Sequence, residues 1–403
     1  MDASDVKFSM DREQAAATKS PTSADYTAIK ATQVVDKYTV RFILAKHYRP
    51  LLTNLSLDYA GVLDPKAVQA EGPDKFCQYP VGTGPFMVQS VGPALSTVTE
   101  VRNPYHTWET PAAHNTGAAY LSQIVFKTII SDATSTSELL TGGIDIGIVT
   151  GDQIGRIKGN PAIVAYRLLA QGEFYTGFNL SHPPLNSRNV RLGIAEAIDR
   201  KQVLQVAANG LGAPAYSPVW TTIQFYDPQS KSYAPQYNLA DAQRLLAAQH
   251  GGAPLTLLTF TIPETSAAAE FVQAQLQQVG IKVNIVLKSV ADFIPLAAKG
   301  QYDLLILGIF YPDPDVMYLL FHSSQAVAGG LNFIQAKDPK LDSLLVQGRS
   351  ETDMTQAAAT YAKLQRYIDQ NVIVDPLWTP VNVYGTRARL HGWHTNPGGN
   401  PFY

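Results

Sequence analysis

The sequence predicts an α/β protein of two lobes, and three observations carry that reading. A chain of 403 residues is longer than one compact core ordinarily holds. Residues 255 to 309 alternate strand and helix in the order β-α-β-α-β, the pattern of a parallel sheet with right-handed crossovers. Residues 121 to 149 repeat part of that alternation more weakly.

In the weaker copy, LSQIVFKTII (121–130) reads as a strand. Ser131 and Asp132 then open a helix, Gly142 and Gly143 stop it, and IDIGIV (144–149) forms the next strand. Residues 162–180 hold two extended runs, AIVAYRLL and FYTGFNL. The helical block that follows places Val190, Ile194, Ala197, Ile198 and Val203 on one apolar face. Arg191 and Asp199 fall away from most of that face, which predicts surface ion pairing and capping for them. From Leu255 comes a strand (LTLLTFTI), then a helix over 266–279 with Ala268, Phe271, Val272, Leu276 and Val279 on one side, closed by Gly280. A second strand covers 281–287, a second helix 291–299, and a third, apolar strand 302–309. VIVDPLWTPVNVYG (372–385) is a further extended run near the end. Together with 162–180 it supplies two chain crossings, hence a two-strand hinge. The expected division is lobe I at 1–174, lobe II at 175–375, and a return to lobe I at 376–403.

Composition narrows the function. The 31 basic and 33 acidic residues leave a formal charge of -2, so no bulk field draws the chain to nucleic acid. Cys77 is the single cysteine, which excludes internal disulfides and cysteine-based metal clusters but leaves the compartment open. The longest apolar runs are strand-sized, far short of a bilayer span. The opening MDASDVKFSMDREQ lacks the order of a secretion signal. Either the protein stays inside the cell or its true start lies upstream.

YPVGTGPFMV (79–88) crowds two Pro and two Gly into six positions. It lacks the third glycine and following helix of a dinucleotide fingerprint and the Lys-Ser/Thr of a phosphate loop, and Pro85 removes an N–H that an anion would need. The turn is read as architectural. His391-Gly-Trp-His394 has metal-ligand spacing but no third ligand close in sequence, so two loop histidines is the favoured reading. No nucleophile elbow or HExxH motif occurs, and Cys77 has no neighbouring His. In open α/β sheets ligands sit beyond the carboxyl ends of the strands. The strand over 302–309 ends in Phe310-Tyr311-Pro-Asp313-Pro-Asp315. Two aromatic rings and two carboxylates therefore stand at the mouth of a candidate cleft. The competing reading packs Phe310 and Tyr311 in the core and has Asp313 cap the helix at 316–321.

Several segments together resemble the family 5 extracytoplasmic solute-binding proteins of ABC importers, which include oligopeptide-, dipeptide- and nickel-binding members. DASDVKFSMDR at the start, Gly82-Thr-Gly84-Pro85-Phe86 with Arg102-Asn103-Pro104-Tyr105 and Trp108, and Leu139-Leu-Thr-Gly-Gly-Ile-Asp145-Ile follow the family's blocks in order. The block FNLSHPPLNSRNVRLGIAEAIDRKQVLQVAANGLGAPAYSP (178–218) is the most specific, and Asn332, Asp342, residues 361–369 and Pro376-Leu-Trp378 complete it. The resemblance implies a two-lobed periplasmic-binding-protein fold of type II, cluster-C-like. It also implies a monomer outside the cytoplasm that captures a peptide-like solute in an interlobe cleft and delivers it to a membrane permease, with no cofactor and no resident metal. A ligand-sensing regulatory module on the same fold is the alternative, and an enzyme the more distant one.

Two departures from the family pattern matter. Members extend upstream of the first block, so the first lobe is expected to be incomplete here, with exposed sheet edges and a tendency to aggregate. In peptide binders an Asp after the strand aligned with 302–309 receives the peptide's amino terminus, and Phe310 stands there. The carboxylate-clamping Arg of the dipeptide binder falls near Thr259. The ligand expected is therefore a modified or N-blocked peptide, an opine-like or sugar conjugate, or a metal chelate. Phe310, Tyr311 and Asp313 are the first candidate contacts, with Asp313 as the remaining anion for a positive group. Tyr175 and Trp378 are placed at the hinge, and Trp220 and Asn332 at the rim of the second lobe, because Tyr and Trp combine broad apolar contact with one polar handle.

Overall fold

The computed structural model describes residues 1–20, 22–107, 115, 117–249, 251–327, 329–395 and 401–402. The chain divides into two compact units, Met1–Ser135 and Thr136–Phe402.

The first unit opens with helix Ala3–Gln14, held at its start by a capping box between Asp2 and Asp5. The antiparallel hairpin of β1 (Ile29–Asp36) and β2 (Thr39–Leu44) follows. Met10, Tyr26, Ile29 and Ala60 form its small core, and buried Asn54 donates to the Asp25 carbonyl (3.0 Å) and to the Tyr48 hydroxyl (2.8 Å). A three-stranded antiparallel sheet follows, in the order β3 (Phe86–Val91), β4 (Thr97–Arg102) and β5 (Gln123–Lys127).

The rigid corner ahead of β3 is tied down through its carbonyls. Buried Asn103 donates from Nδ2 to Gly84 O and from its backbone to Pro85 O, both at 2.8 Å, and Thr83 O accepts from His106 Nδ1 at 2.8 Å. A Cβ on Gly82 would meet open space, and neither Gly82 nor Gly84 takes a positive φ. The stiffness comes from the prolines and from the Asn103–His106 clamp, so the corner is architectural as read. Trp108 lies outside the described residues.

The second unit is built on a sheet of eight strands. Its path runs β11 (Val283–Lys288), β10 (Leu255–Phe260), β12 (Leu304–Phe310), β8 (Gly172–Phe178), β13 (Val374–Arg387) and β6 (Ile146–Ile148), with β7 (Ile163–Leu169) and β9 (Gly212–Pro214) also pairing β13. β10 is parallel to both β11 and β12, with helices Pro263–Gln278 and Val290–Ala298 as the connections, so the β-α-β-α-β reading holds. Alternate residues of β12 feed two cores. Leu304 and Ile306 pack with Phe178, Ile194 and Leu276, whereas Leu305 and Leu307 pack with Tyr175, Trp220 and Leu364. A strand buried on both faces must be apolar throughout, which is why it reads as a continuous run.

The weaker copy is a correction. β5 pairs antiparallel with β4, and β6 pairs antiparallel with β13, so the two strands do not share a parallel sheet. Helix Asp132–Thr141 does join them, but local propensity does not encode which strand each one will find.

β13 is long because it serves two sets of partners. Val374–Trp378 pairs with β8, and Val381–Arg387 pairs with β7. The two sets part at Ala170, between β7 and β8, whose N–H donates to Pro380 O at 2.9 Å. These strands fall on the extended runs read at 162–180 and 372–385.

Within the helical block, Val190, Ile194, Ala197, Ile198 and Val203 are all buried, and Asp199 caps helix Arg200–Ala208 by accepting from Lys201 N and Gln202 N. Arg191 is a second correction, since it is buried rather than on the surface. Its guanidinium donates to Val372 O (2.8 Å), Asn371 O (2.7 Å), Leu185 O (2.8 Å) and Asn186 O (3.2 Å). It thereby anchors the end of helix Met354–Asn371, where Val372 takes a left-handed φ of 49°, a costly conformation for a β-branched residue.

Candidate functional site

The carboxyl end of β12 lies beside the start of β8, and the register sets Phe310 opposite Gly172. Phe310 is half exposed, at 50%. Its ring meets Phe174 edge-on, with centroids 5.6 Å apart at 78°, and Phe174 stacks on Trp378 at 4.4 Å and 14°. Two glycines make room for this. A Cβ on Gly172 would overlap Phe310 Cδ1 and Ile309 O, and one on Gly308 would lie 2.7 Å from Phe174 and 2.9 Å from Phe310. Tyr311, half-buried, donates its N–H to Gln171 O (3.0 Å), and Thr222 Oγ1 donates to Ala170 O (3.0 Å). The strand end, the 170–171 connection between β7 and β8, and the 222 loop are thus joined by hydrogen bonds.

Past the strand the chain turns inward. Asp313 is 1% exposed, and its Oδ1 accepts from Asp315 N at 2.9 Å. The N-cap of helix Val316–Phe321 is Asp315, which makes no capping bond with its side chain. Instead Asp315 receives a bidentate pair from buried Arg349 (3.1 and 2.8 Å), whose guanidinium carbon lies 3.6 Å from the Tyr318 ring centroid. Both carboxylates of the PDPD segment therefore serve the turn.

The remaining candidates are interior side chains. Tyr175 and Trp220 pack in the core that holds Leu307 and Met317, and burial together with the nearby Glu173 charge raises the Tyr175 hydroxyl above its usual range. Trp378 is fully buried in the other core. Asn332 is buried too, donating to Phe321 O, His322 O and Ala336 O and accepting from Ala336 N. Trp220, placed at a rim from the sequence, fills a core, and Asn332 staples a loop through four backbone bonds. His391 is exposed, and the side chain of His394 lies outside the described residues. Among the described residues no three His, Cys, Asp or Glu converge to hold a metal ion.

Sequence reasoning passed over two residues beside this strand end. Glu173, opposite Ile309, and Gln171 each bury a carboxyl or amide oxygen without a hydrogen-bond partner, as do the Trp220 and Trp378 indole nitrogens. Burial, then the Asp369 charge, push the Glu173 carboxyl well above the usual range, with Arg200 opposing. A charged residue inside the apolar run GEFYTGF was the available signal.

The model of the bacterial extracellular solute-binding proteins, family 5, matches residues 1–329. The chain belongs to this family. Family 5 proteins bind and deliver solutes rather than transform them, so the transport reading stands over the regulatory and enzymatic ones. Among curated relatives, the probable di/tripeptide-binding protein 5 of Pseudomonas aeruginosa (strain UCBPP-PA14) is 26% identical over 400 residues, which cover 92% of this chain and 70% of the relative. A dipeptide-binding protein from Pseudoalteromonas sp. SM9913, solved with Met-Leu, superposes with a TM-score of 0.83 at 24% identity, covering 100% of this chain and 82% of that one. The oligopeptide-binding protein AppA of Bacillus subtilis, solved with a nonapeptide, gives 0.81 at 22% identity, covering 99% and 82%. These likenesses establish the two-lobed α/β fold for this family 5 chain. No helix among its described residues is long and apolar enough to cross a membrane.

Proposed function

We propose that this protein is the solute-capturing component of an ABC importer, working outside the cytoplasm as a monomer. It takes up a peptide-like ligand whose amino end carries no free ammonium and hands it to a membrane permease. The observation that carries the ligand assignment is Phe310, a half-exposed ring at the strand end. The carboxyls nearby are all buried: Asp313 accepts from Asp315 N, Asp315 pairs with Arg349, and burial pushes Glu173, across the ladder, toward its neutral form. An ammonium brought to this surface forgoes a charge-assisted bond of about 1.5–3 kcal/mol, whereas an acylated or otherwise neutral end gains contact with an aromatic face. The curated relative named for di- and tripeptides supports a ligand of that size class.

Native mass spectrometry of protein purified from a rich medium tests the assignment. The expected result is a co-purified small molecule, released on denaturation, with a mass and fragmentation that fit a blocked or modified peptide. Co-purification of unmodified free peptides alone would contradict it.

A further inference from the structure

A pocket of ≈ 320 Å³ lies in the second unit, lined by Arg188, Leu192 and Glu196 of helix Arg188–Ala197, by Tyr233 and Gln236, and by Asp369 near the end of helix Met354–Asn371. None of the strand-end residues above lines it. Asp369 is 1% exposed, and neither of its carboxylate oxygens has a hydrogen-bond partner. Glu196 in the same lining also buries an oxygen, Oε2, without a partner. Arg188 and Arg244 act on Glu196 through their charge, and Asp241 lies against its carboxyl, but several nearby donors are bonded away from Asp369. The Tyr233 hydroxyl donates to Asp227 (2.6 Å), Arg188 Nε to Gln370 O (2.6 Å), and Arg200 to Pro235 O, Pro376 O and Asp375.

With no ligand bound the buried Asp369 carboxyl holds its proton, and a cation that brings directed N–H bonds displaces that proton and pairs with the carboxylate. Hard divalent cations need six or more oxygen ligands or several retained waters, and the described residues offer no such convergence. A guanidinium fits better: its planar fork meets both oxygens of one carboxylate and has N–H groups left for a second acceptor. We propose that this pocket binds a guanidinium group, with Asp369 as its bidentate partner and Glu196 as the second acceptor. The site is additional to the solute site at the β12 strand end, and ligands occupy the two independently.

The test titrates the full chain at constant ionic strength with agmatine and, separately, with N-acetyl-arginine amide, using tetramethylammonium as a cation without N–H donors. The expected result is saturable binding of a guanidinium probe, none of tetramethylammonium, and a loss of about tenfold or more in Asp369→Asn. Binding of agmatine alone marks a free small molecule as the natural ligand. Equal binding of both probes marks an arginine side chain of a peptide or protein. Gln236→Trp, which fills the pocket from an exposed position and leaves the carboxylate in place, abolishes binding and decides the matter if Asp369→Asn fails to fold. Absence of saturable binding by both probes, or wild-type affinity in a folded Asp369→Asn, overturns the proposal.

Discussion

Phe310 rests edge-on against Phe174, 5.6 Å between centroids, while Phe174 lies flat on the buried Trp378. An exposed ring backed by two others, one of them immobile in a core, is held in place before any ligand arrives. Little conformational entropy is then lost on contact. The strand end is therefore a prepared aromatic surface, and its glycine neighbours are part of the preparation.

Gly172→Ala tests that dependence. The new methyl group would overlap Phe310 Cδ1 and the Ile309 carbonyl, and a backbone atom cannot swing aside as a side chain can. Overpacking of this kind costs about 1–3 kcal/mol, so the urea midpoint is expected to fall and ligand affinity with it. An unchanged midpoint would show that β8 and β12 do not approach as closely as described.

Arg191→Lys keeps the charge but loses the fork that reaches four carbonyls. Lysine offers three donors from a single nitrogen and cannot span Leu185 and Val372 together. A loss of about 2–4 kcal/mol is expected for a buried donor of this kind, with early hydrogen exchange around residues 368–374. Stability equal to wild type would place Arg191 in solvent.

Asp313 is the anion that the sequence offers to a cationic ligand, and Asp313→Ala tests that role. With the carboxylate 1% exposed and accepting from Asp315 N, the expected effect is on stability, about 1–2 kcal/mol by thermal or urea denaturation. Ligand affinity changes little once the folded fraction is accounted for. A fully stable variant that no longer binds would make Asp313 a ligand contact.

Burial raises the carboxyls of Glu173, Asp369 and Asp375, the last from 3.8 to about 6. The folded chain then keeps protons that the unfolded chain releases near pH 4, so it binds more protons above that pH. Stability is accordingly highest on the acid side of this window and falls as the pH rises through the folded values. Asp375 alone accounts for a fall on the order of 3 kcal/mol spread between about pH 4 and pH 6, of which roughly half lies above pH 5. Urea midpoints measured from pH 5 to pH 8 are expected to decline, and to decline less in the Glu173→Gln, Asp369→Asn double variant. Identical slopes would show that these carboxyls are not buried together with their protons.

The segment from Leu255 to Phe310 is legible in the sequence because its periodicities report burial directly: alternate sides of β12 enter two cores, and helix Pro263–Gln278 turns Ala268, Val272 and Leu276 inward. The asparagine and histidine that fix the Gly82–Pro85 corner stand about twenty residues away, close enough to be read as one motif. Pairing across longer separations is not encoded locally. Nothing near Arg191 announces that its acceptors lie at 371 and 372, and nothing near β5 or β6 names their partners. At the strand end, Phe310 is visible because the chain turns sharply after it. Asp313 and Asp315 share that turn, and only the position of Arg349 reveals that they face inward.

The most direct test compares calorimetric titrations of Ala-Phe and N-acetyl-Ala-Phe into the wild type and into Phe310→Asp. The account predicts that the wild type binds the acetylated form at least as tightly as the free one, and that Phe310→Asp raises affinity for the free dipeptide by about tenfold or more. A wild type that prefers the free amine, with that preference unmoved by Phe310→Asp, would contradict it.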